Sequence, residues 1–290
     1  MAFAASELIV NPAGAVYHLN LLPEQLAPTV LLVGDPDRVK EVSKHFDQIW
    51  YKVQHREFIT HTGSLGGKPI SVVSTGIGTD NIDIVLNELD ALVNIDLITR
   101  EPKQQISQLD LVRLGTSGAL QADIPVDSLV CSSHGLGLDG LMPFYHAHQS
   151  AEEQAMTQAF NNQLPEITRV AHPYVFEGSQ GLLHKIAQKD LTYGITLTCP
   201  GFYAPQGRRL RYEPVVEQLP LKVGAFAFPP HRVTNFEMET AGIYGLARVL
   251  GHNALSVNAI IANRVEGSFS LQPQKTIERL ITTVLERLLS

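Results

Sequence analysis

Three arginines stand where an apolar run gives way to glycine. There a chain can bring a guanidinium and backbone amides up to one anion. In VGDPDR, Arg38 follows Gly34 by four residues. Taken alone, Asp-Pro is a turn and Arg38 pairs with Asp35 or Asp37. In LVRLGTSGA (111–119), Arg113 lies inside an apolar stretch, two residues before Gly115. A guanidinium there is costly unless paired. The hydroxyls and glycine amides of Gly115-Thr116-Ser117-Gly118 predict a strand ending in a glycine turn that forms an anion nest. Arginine is best matched by planar, bidentate partners such as phosphate oxygens. No Gly-Lys-Ser/Thr follows, so this is not a Walker loop. The third arginine, Arg208, closes CPGFYAPQGR (199–208), in which Phe202 and Tyr203 offer flat faces and Gln206 an amide. An amide presents a donor and an acceptor side by side, which matches the O=C–N–H edge of a pyrimidine. An arginine beside it can meet negative charge growing on a carbonyl oxygen. For this loop the competing reading is a plain Pro/Gly surface segment.

In NFEMETAG (235–242), Glu237 and Glu239 flank Met238. On a helix, side chains two apart diverge, so the two are not an acid–base pair reaching for one bond. Acids at a helix start also suit its dipole. STGIGTDN (74–81) has Gly76 and Gly78 after an apolar run, but a dinucleotide fingerprint needs glycine where Asn81 stands, so a Rossmann cofactor is rejected. His134, His146 and His148 in HGLGLDGLMPFYHAH include a His-X-His spacing. Without companion cysteines or carboxylates, solvated loop histidines are preferred to a zinc site; no metal is expected.

These residues need a scaffold that carries them on strand ends. PTVLLVGDPDR (28–38) reads as a buried strand and turn, and 55–78 as two strands joined at GSLGGKP. Segment 81–94 has apolar residues at helical spacing, and 98–108 is a charged loop. Strands follow at 109–120, 126–133, 191–199 and 254–264, with helices at 151–163, 179–189, about 239–250 and from about 273. Trp50 and the apolar stripe of helix 81–94 are assigned to the core. Strands alternating with helices predict an α/β domain with ligand groups at strand ends. No linker or repeat divides the chain, so residues 1–290 are taken as one domain with an N-terminal arm over 1–27.

The chain has 290 residues, 44% hydrophobic and 18% charged, as in an ordinary globular enzyme. Its net charge of −7 argues against a nucleic-acid or anionic-membrane binder. No apolar run approaches the ~20 residues of a membrane span. Cys131 and Cys199 follow apolar, β-branched stretches, which predicts buried free thiols in a reducing cytoplasm.

VGDPDR, HREF (55–58), STGIG, RLGTSGA, FYAPQGR and FEMET, in this order, resemble the nucleoside phosphorylase family, and within it the uridine phosphorylase branch. The resemblance runs from about His18 to Arg264. It departs from the family pattern at Pro205, where glycine is usual, at Gly207, where an acidic residue is usual, and in the longer 98–108 loop. The implied fold is one α/β domain with a central mixed twisted sheet, partly barrel-like and flanked by helices. The implied activity is that of a pentosyltransferase: reversible phosphorolysis of uridine, with phosphate as co-substrate and no cofactor. The resemblance places Gly34, Arg38, Arg113 and Thr116 at phosphate, joined by Arg56 from a neighbouring subunit of a homo-oligomer. Phe202, Gln206 and Arg208 are placed at uracil, with Arg113 and Arg208 the catalytic groups. Glu237, Met238 and Glu239 are placed at ribose, with His18 crossing the interface in VYHLN (16–20). Glu239 would accept the 2′- and 3′-hydroxyls from an irregular turn, where neighbours in sequence can converge. Purine-specific relatives usually carry an aspartate where this chain has Asn263, which favours a pyrimidine. A purine phosphorylase, a nucleosidase and a non-catalytic nucleoside binder are the alternatives.

Overall fold

The computed structural model describes residues 2–188 and 190–290. The uninterrupted apolar run TVLLV forms β1 (Thr29–Val33), a strand buried on both faces. Helix α1 (Pro36–Ser43) follows, opened by Asp35, whose carboxylate accepts the Asp37 N–H at 3.0 Å. Three antiparallel neighbours come next: β2 (Gln48–His55), β3 (Phe58–Leu65) and β4 (Lys68–Ser74). In α2 (Thr79–Asn94) the apolar stripe Ile82, Val85, Leu86, Leu89 and Leu92 is fully buried. A two-residue pairing of β5 (Ile95–Asp96) with β6 (Glu101–Pro102) lies at the start of the exposed 98–108 loop.

The second half supplies β7 (Asp110–Ala119), β8 (Leu129–Gly137), α3 (Ala151–Gln163), α4 (Pro165–Thr168), β9 (Tyr174–Glu177), α5 (Gln180–Ile186) and β10 (Thr192–Thr198). After these come α6 (Leu219–Gly224), β11 (Ala227–Phe228), β12 (His231–Glu237), α7 (Thr240–Leu250), β13 (Asn253–Asn263), β14 (Ser268–Phe269) and α8 (Pro273–Leu289). The polar helix expected at 151–163 has those bounds, opened by a reciprocal Ser150–Glu153 cap.

Strand order is β11-β12-β10-β8-β13-β7-β1-β4-β3-β2. Strand β12 also pairs antiparallel with β7 through Asn235–Ala119 and Phe236–Gly118. Strands β7, β13, β8, β10 and β12 therefore close into a ring, from which β1, β4, β3 and β2 extend as an open sheet. Closure leaves no free edge within the ring. Apolar side chains pack in three main groups: under α2 and α7 together with Val16, Leu19 and Leu21 of the arm; under α1, α5 and α8; and between the ring and α3 and α6. The domain is thus one α/β unit with a mixed, partly barrel-like sheet.

Four expectations are corrected. The segment 115–118 is not a turn: β7 runs through it, with Gly115, Thr116 and Ser117 in register with Asn258, Ala259 and Ile260 of β13, so its amides form no nest. Strand β8 continues to Gly137, so His134 is a buried strand residue rather than a solvated one. His146 and His148 are exposed, and among the described residues no three His, Cys, Asp or Glu groups gather around a common point. Strand β2 was not foreseen, and on it Trp50 is 45% exposed rather than core. Both cysteines are buried and free, as expected.

Candidate functional site

Arg113 sits in the middle of β7, buried, and the sheet is built around its side chain. A methyl on Gly115 would lie 1.7 Å from Arg113 Nη1 and 2.6 Å from Asn258 Oδ1. The glycine is therefore needed on this strand for close approach, not for turn geometry. Arg113 Nη1 donates to Asn258 Oδ1 at 2.8 Å; Nη2 lies 2.5 Å from Glu239 Oε2 and 3.2 Å from Glu237 Oε2. Burial opposes its charge, but the two carboxylates outweigh that and raise its pKa above the ordinary arginine value. Burial, then the neighbouring Glu237, pushes Glu239 upward against the pull of Arg113.

Arg38 stands on the first turn of α1 and donates from Nη1 to Leu114 O at 3.2 Å. Burial, then the nearby Arg113, lowers its pKa against the weaker opposing pull of Asp35 and Glu239. Two half- to fully buried guanidinium groups that repel each other define one anion-seeking end. Gly34 packs against the STGIG loop: a methyl there would meet Gly76 O at 3.4 Å. The STGIG loop has a structural task, since Gly78 N donates to Glu239 Oε1 at 2.7 Å. Thr116 follows on β7, half-buried.

The Glu237–Glu239 turn joins β12 to α7. Its backbone at Glu239 is irregular (φ −138°, ψ −34°), as expected for a non-helical turn. Met238 is half-buried between the two carboxylates.

The base-loop trio meets as the sequence implied. Pro205 opens a single 3₁₀ turn, Ala204–Gln206, and Gly207 closes it in the left-handed region at φ +67°. The two departures from the family pattern thus work together. The turn buries Gln206 to 3% exposure and aims Arg208 back over it. Arg208 Nη1 donates to Gln206 Oε1 at 2.5 Å and to Phe202 O at 2.6 Å, and its guanidinium lies 3.6 Å from the Phe202 ring centroid. Burial and the adjacent Arg264 lower the Arg208 pKa to about 10. Phe202 itself is 50% exposed.

Arg264 was missed as a site residue. Its Nη1 donates to Gln206 O at 3.2 Å, and its guanidinium lies 5.5 Å from the Phe236 ring centroid. Asn263, which carried the purine–pyrimidine argument, points elsewhere. Its amide donates to Gln121 O and Ile124 O, and its oxygen accepts the N–H groups of Val265 and Glu266, all at 2.9 Å. All four bonding positions of that amide serve the backbone, so Asn263 has none left for a ligand.

The two ends share β12. Phe236, under Arg208 and Arg264, directly precedes Glu237, and Cys199 N at the start of the base loop donates to Glu237 O at 2.9 Å. Phe236 pairs with Gly118 on β7, five residues beyond Arg113.

His18 on the arm and Arg56 in the β2–β3 turn form a third group. Arg56 is exposed at φ +54° in the turn between β2 and β3, its guanidinium 5.6 Å from the Tyr17 ring centroid. Tyr17 meets the His18 ring edge-on at 4.9 Å. Glu88 of α2 anchors the arm, accepting from the backbone N–H groups of His18 and Leu19 and bonding His18 Nδ1 at 2.6 Å. Neither His18 nor Arg56 contacts Arg113 or Arg208 in one chain, and nothing in the arm's sequence marks Glu88 as its anchor.

A ring-closed α/β domain thus carries an arginine–carboxylate cluster and an amide–aromatic cluster, joined along β12. The chain belongs to the phosphorylase superfamily, whose family model matches residues 28–290. It is 32% identical to a Thermococcus kodakarensis uridine phosphorylase over 94% of this chain and 86% of that one. It is 28% identical to a DeoD-type purine nucleoside phosphorylase of Thermoanaerobacter over 93% of this chain and 97% of the relative. A solved Trypanosoma brucei nucleoside phosphorylase, described as showing uridine phosphorylase activity, superposes with a TM-score of 0.89 at 29% identity, covering 97% of this chain and 99% of that one. No helix among the described residues is long and apolar enough to cross a membrane.

Proposed function

We propose that this protein is a uridine phosphorylase of the cytoplasm, acting in pyrimidine salvage: uridine and inorganic phosphate give uracil and ribose 1-phosphate, reversibly. The observation that carries the reading is the pairing of two unlike ends along β7 and β12. Arg38 and Arg113, with Gly34 and Thr116, suit a phosphate oxyanion. Gln206, Arg208 and Phe202, with Arg264 and Phe236, suit a planar base with carbonyl oxygens. The relatives support the same reading, and the base end favours uracil over a purine.

In this scheme Glu239 accepts the 2′- and 3′-hydroxyls and Met238 packs its thioether against the sugar. The glycosidic bond lengthens toward an oxocarbenium-like ribose. A phosphate oxygen forms the new bond at C1′ while the C1′–N1 bond breaks and its electron pair leaves with uracil. The charge on the departing base spreads over its carbonyls and is met by Arg208 and Gln206. Catalysis is positioning and preorganised charge, with no covalent enzyme intermediate and no cofactor. The active unit is a homo-oligomer, with Arg56 and His18 on the arm face reaching a neighbour's site.

A spectrophotometric screen of uridine, 2′-deoxyuridine, thymidine and inosine, each with and without phosphate, tests this. Uridine is expected to be cleaved fastest, and only with phosphate. Cleavage without phosphate would make the protein a nucleosidase, and preference for inosine a purine enzyme.

A further inference from the structure

The two carboxylates around Met238 differ in what they have left to offer a ligand. Glu237 is 4% exposed. Its Oε1 accepts from Thr198 Oγ1 at 2.7 Å and from Thr240 N at 3.2 Å. Its Oε2 accepts from Thr240 N at 2.9 Å, Thr240 Oγ1 at 2.9 Å and Glu239 N at 3.0 Å, and lies 3.2 Å from Arg113 Nη2. A carboxylate has about four lone-pair sites. Those of Glu237 are taken by two hydroxyls, two backbone amides and a guanidinium. Glu239 is engaged once on each oxygen, by Gly78 N and by Arg113. One acceptor site remains on each, which suits two neighbouring hydroxyls.

We infer that Glu237 is a positioning residue and not a sugar ligand, an inference that rests on the function proposed above. The N–H groups it binds are among those that open α7 without an intrahelical partner. By holding them it fixes the backbone of Glu239, and by facing Arg113 it fixes the guanidinium. Thr240 Oγ1, its proton given to Glu237, accepts from Ser256 Oγ of β13, and Thr198 Oγ1 accepts from Ala241 N, both at 2.9 Å. The network therefore ties β10, β12, β13 and α7 together beneath the pocket, where buried polar groups are most sensitive to a missing partner.

The test compares Glu237→Gln with Glu239→Gln. In Glu237→Gln an amide N–H₂ faces groups that are themselves donors, so Arg113 and the turn shift. Phosphate KM should rise about tenfold or more, the loss of one charge-assisted hydrogen bond, with kcat falling too. The ratio of kcat/KM for uridine over 2′-deoxyuridine should fall much less than in Glu239→Gln, since Glu239 keeps its carboxylate and its bond to Gly78 N even where the turn shifts. In Glu239→Gln that ratio should collapse. Glu237→Asp keeps the charge and should recover part of the phosphate KM; it is read in the same way if Glu237→Gln does not fold. A ratio that collapses in the Glu237 variants while phosphate KM is unchanged would overturn the inference. A readout independent of turnover is the rise in Tm on adding inorganic phosphate, which Glu237→Gln should diminish. Were wild type inactive on every nucleoside, the proposed function would fall, and an undiminished phosphate shift in Glu237→Gln would sink the positioning role separately.

Discussion

The arginine–carboxylate cluster and the 199–209 loop, proposed here as the anion end and the base end of one site, are built in opposite ways. Arg113, Glu237, Glu239 and Asn258 are all buried, on or next to three ring strands, and each bonds to another. The base end hangs on the 199–209 loop, where Phe202 and Tyr203 are exposed and Arg208 is held by hydrogen bonds within its own turn. In the first region chemistry and folding use the same bonds, so a change there acts on both. In the second, a side chain can be removed with little effect on the fold. Activity and stability should therefore move together at one end and separately at the other.

The largest effect should come from Arg113→Ala. It leaves Glu237 and Glu239 buried without their cation, and breaking a buried pair on one side costs about 3–5 kcal/mol. Turnover should be lost and the thermal midpoint should fall steeply. A variant that keeps wild-type Tm would show that the carboxylates are held by their amide and hydroxyl donors alone, and would erase the contrast.

Arg208→Ala should lower kcat by roughly 10²–10³, the usual consequence of removing one donor to a developing oxyanion. Its Tm should fall far less than in Arg113→Ala, because the hydrogen bonds that Arg208 makes stay within its own loop and only one neutral acceptor, Gln206 Oε1, loses this donor. An enzyme with unchanged kcat would refute the role of Arg208, and one that loses as much stability as Arg113→Ala would make the two ends alike.

A third measurement asks whether ring-borne groups away from the pocket also report on folding. His134 lies buried on β8, its ring centroid 4.6 Å from that of His231. Burial, and secondarily His231, push its pKa down to about 4, against the opposing pull of Glu152 and Glu153. The unfolded chain then binds a proton between about pH 6.5 and 4 that the folded chain does not. Stability should fall as pH drops through that window, by about 3 kcal/mol in all. The drop in Tm from pH 7 to pH 5 should be smaller in His134→Gln; an equal drop would assign the acid sensitivity elsewhere.

The same contrast explains what the sequence disclosed. The 199–209 loop was legible in part because its bonds are local: Phe202, Gln206 and Arg208 meet within seven residues, although Pro205 and Gly207 stood out only as departures and not as the turn they form. Helix 151–163 was legible from its polar, helix-forming composition, and its Ser150–Glu153 cap explains where it starts. The ring was not. Gly115 and Gly118 look like turn residues until β13 and β12 are known to flank β7, since the reasons for glycine there are Arg113 folding over one and Phe236 packing on the other. Asn263 and Arg264 are neighbours, and only the position of the 121–124 segment shows which one turns toward the Gln206 loop. The dual pairing of β7 and the anchoring of His18 by Glu88 join distant segments, which local pattern cannot signal.

The smallest change expected in a single chain is at Arg56, which belongs to neither end within one subunit. It is exposed, makes no ion pair among the described residues, and rests against Tyr17. Its left-handed backbone, φ +54°, makes Arg56→Asn the suitable substitution, because asparagine tolerates that region. Tm should be unchanged within the ±0.5 kcal/mol of ordinary surface changes. Phosphate KM should rise about tenfold, the effect of removing one charge-assisted hydrogen bond. The decisive measurement mixes Arg56→Asn subunits with Arg208→Ala subunits and lets them exchange. If Arg56 serves a neighbour's pocket, a hybrid contains one site with both arginines intact, and activity should rise above that of either variant alone. Activity equal to the average of the two would place Arg56 in its own subunit's site, or in none, and the pocket would then have to hold phosphate with Arg38 and Arg113 alone.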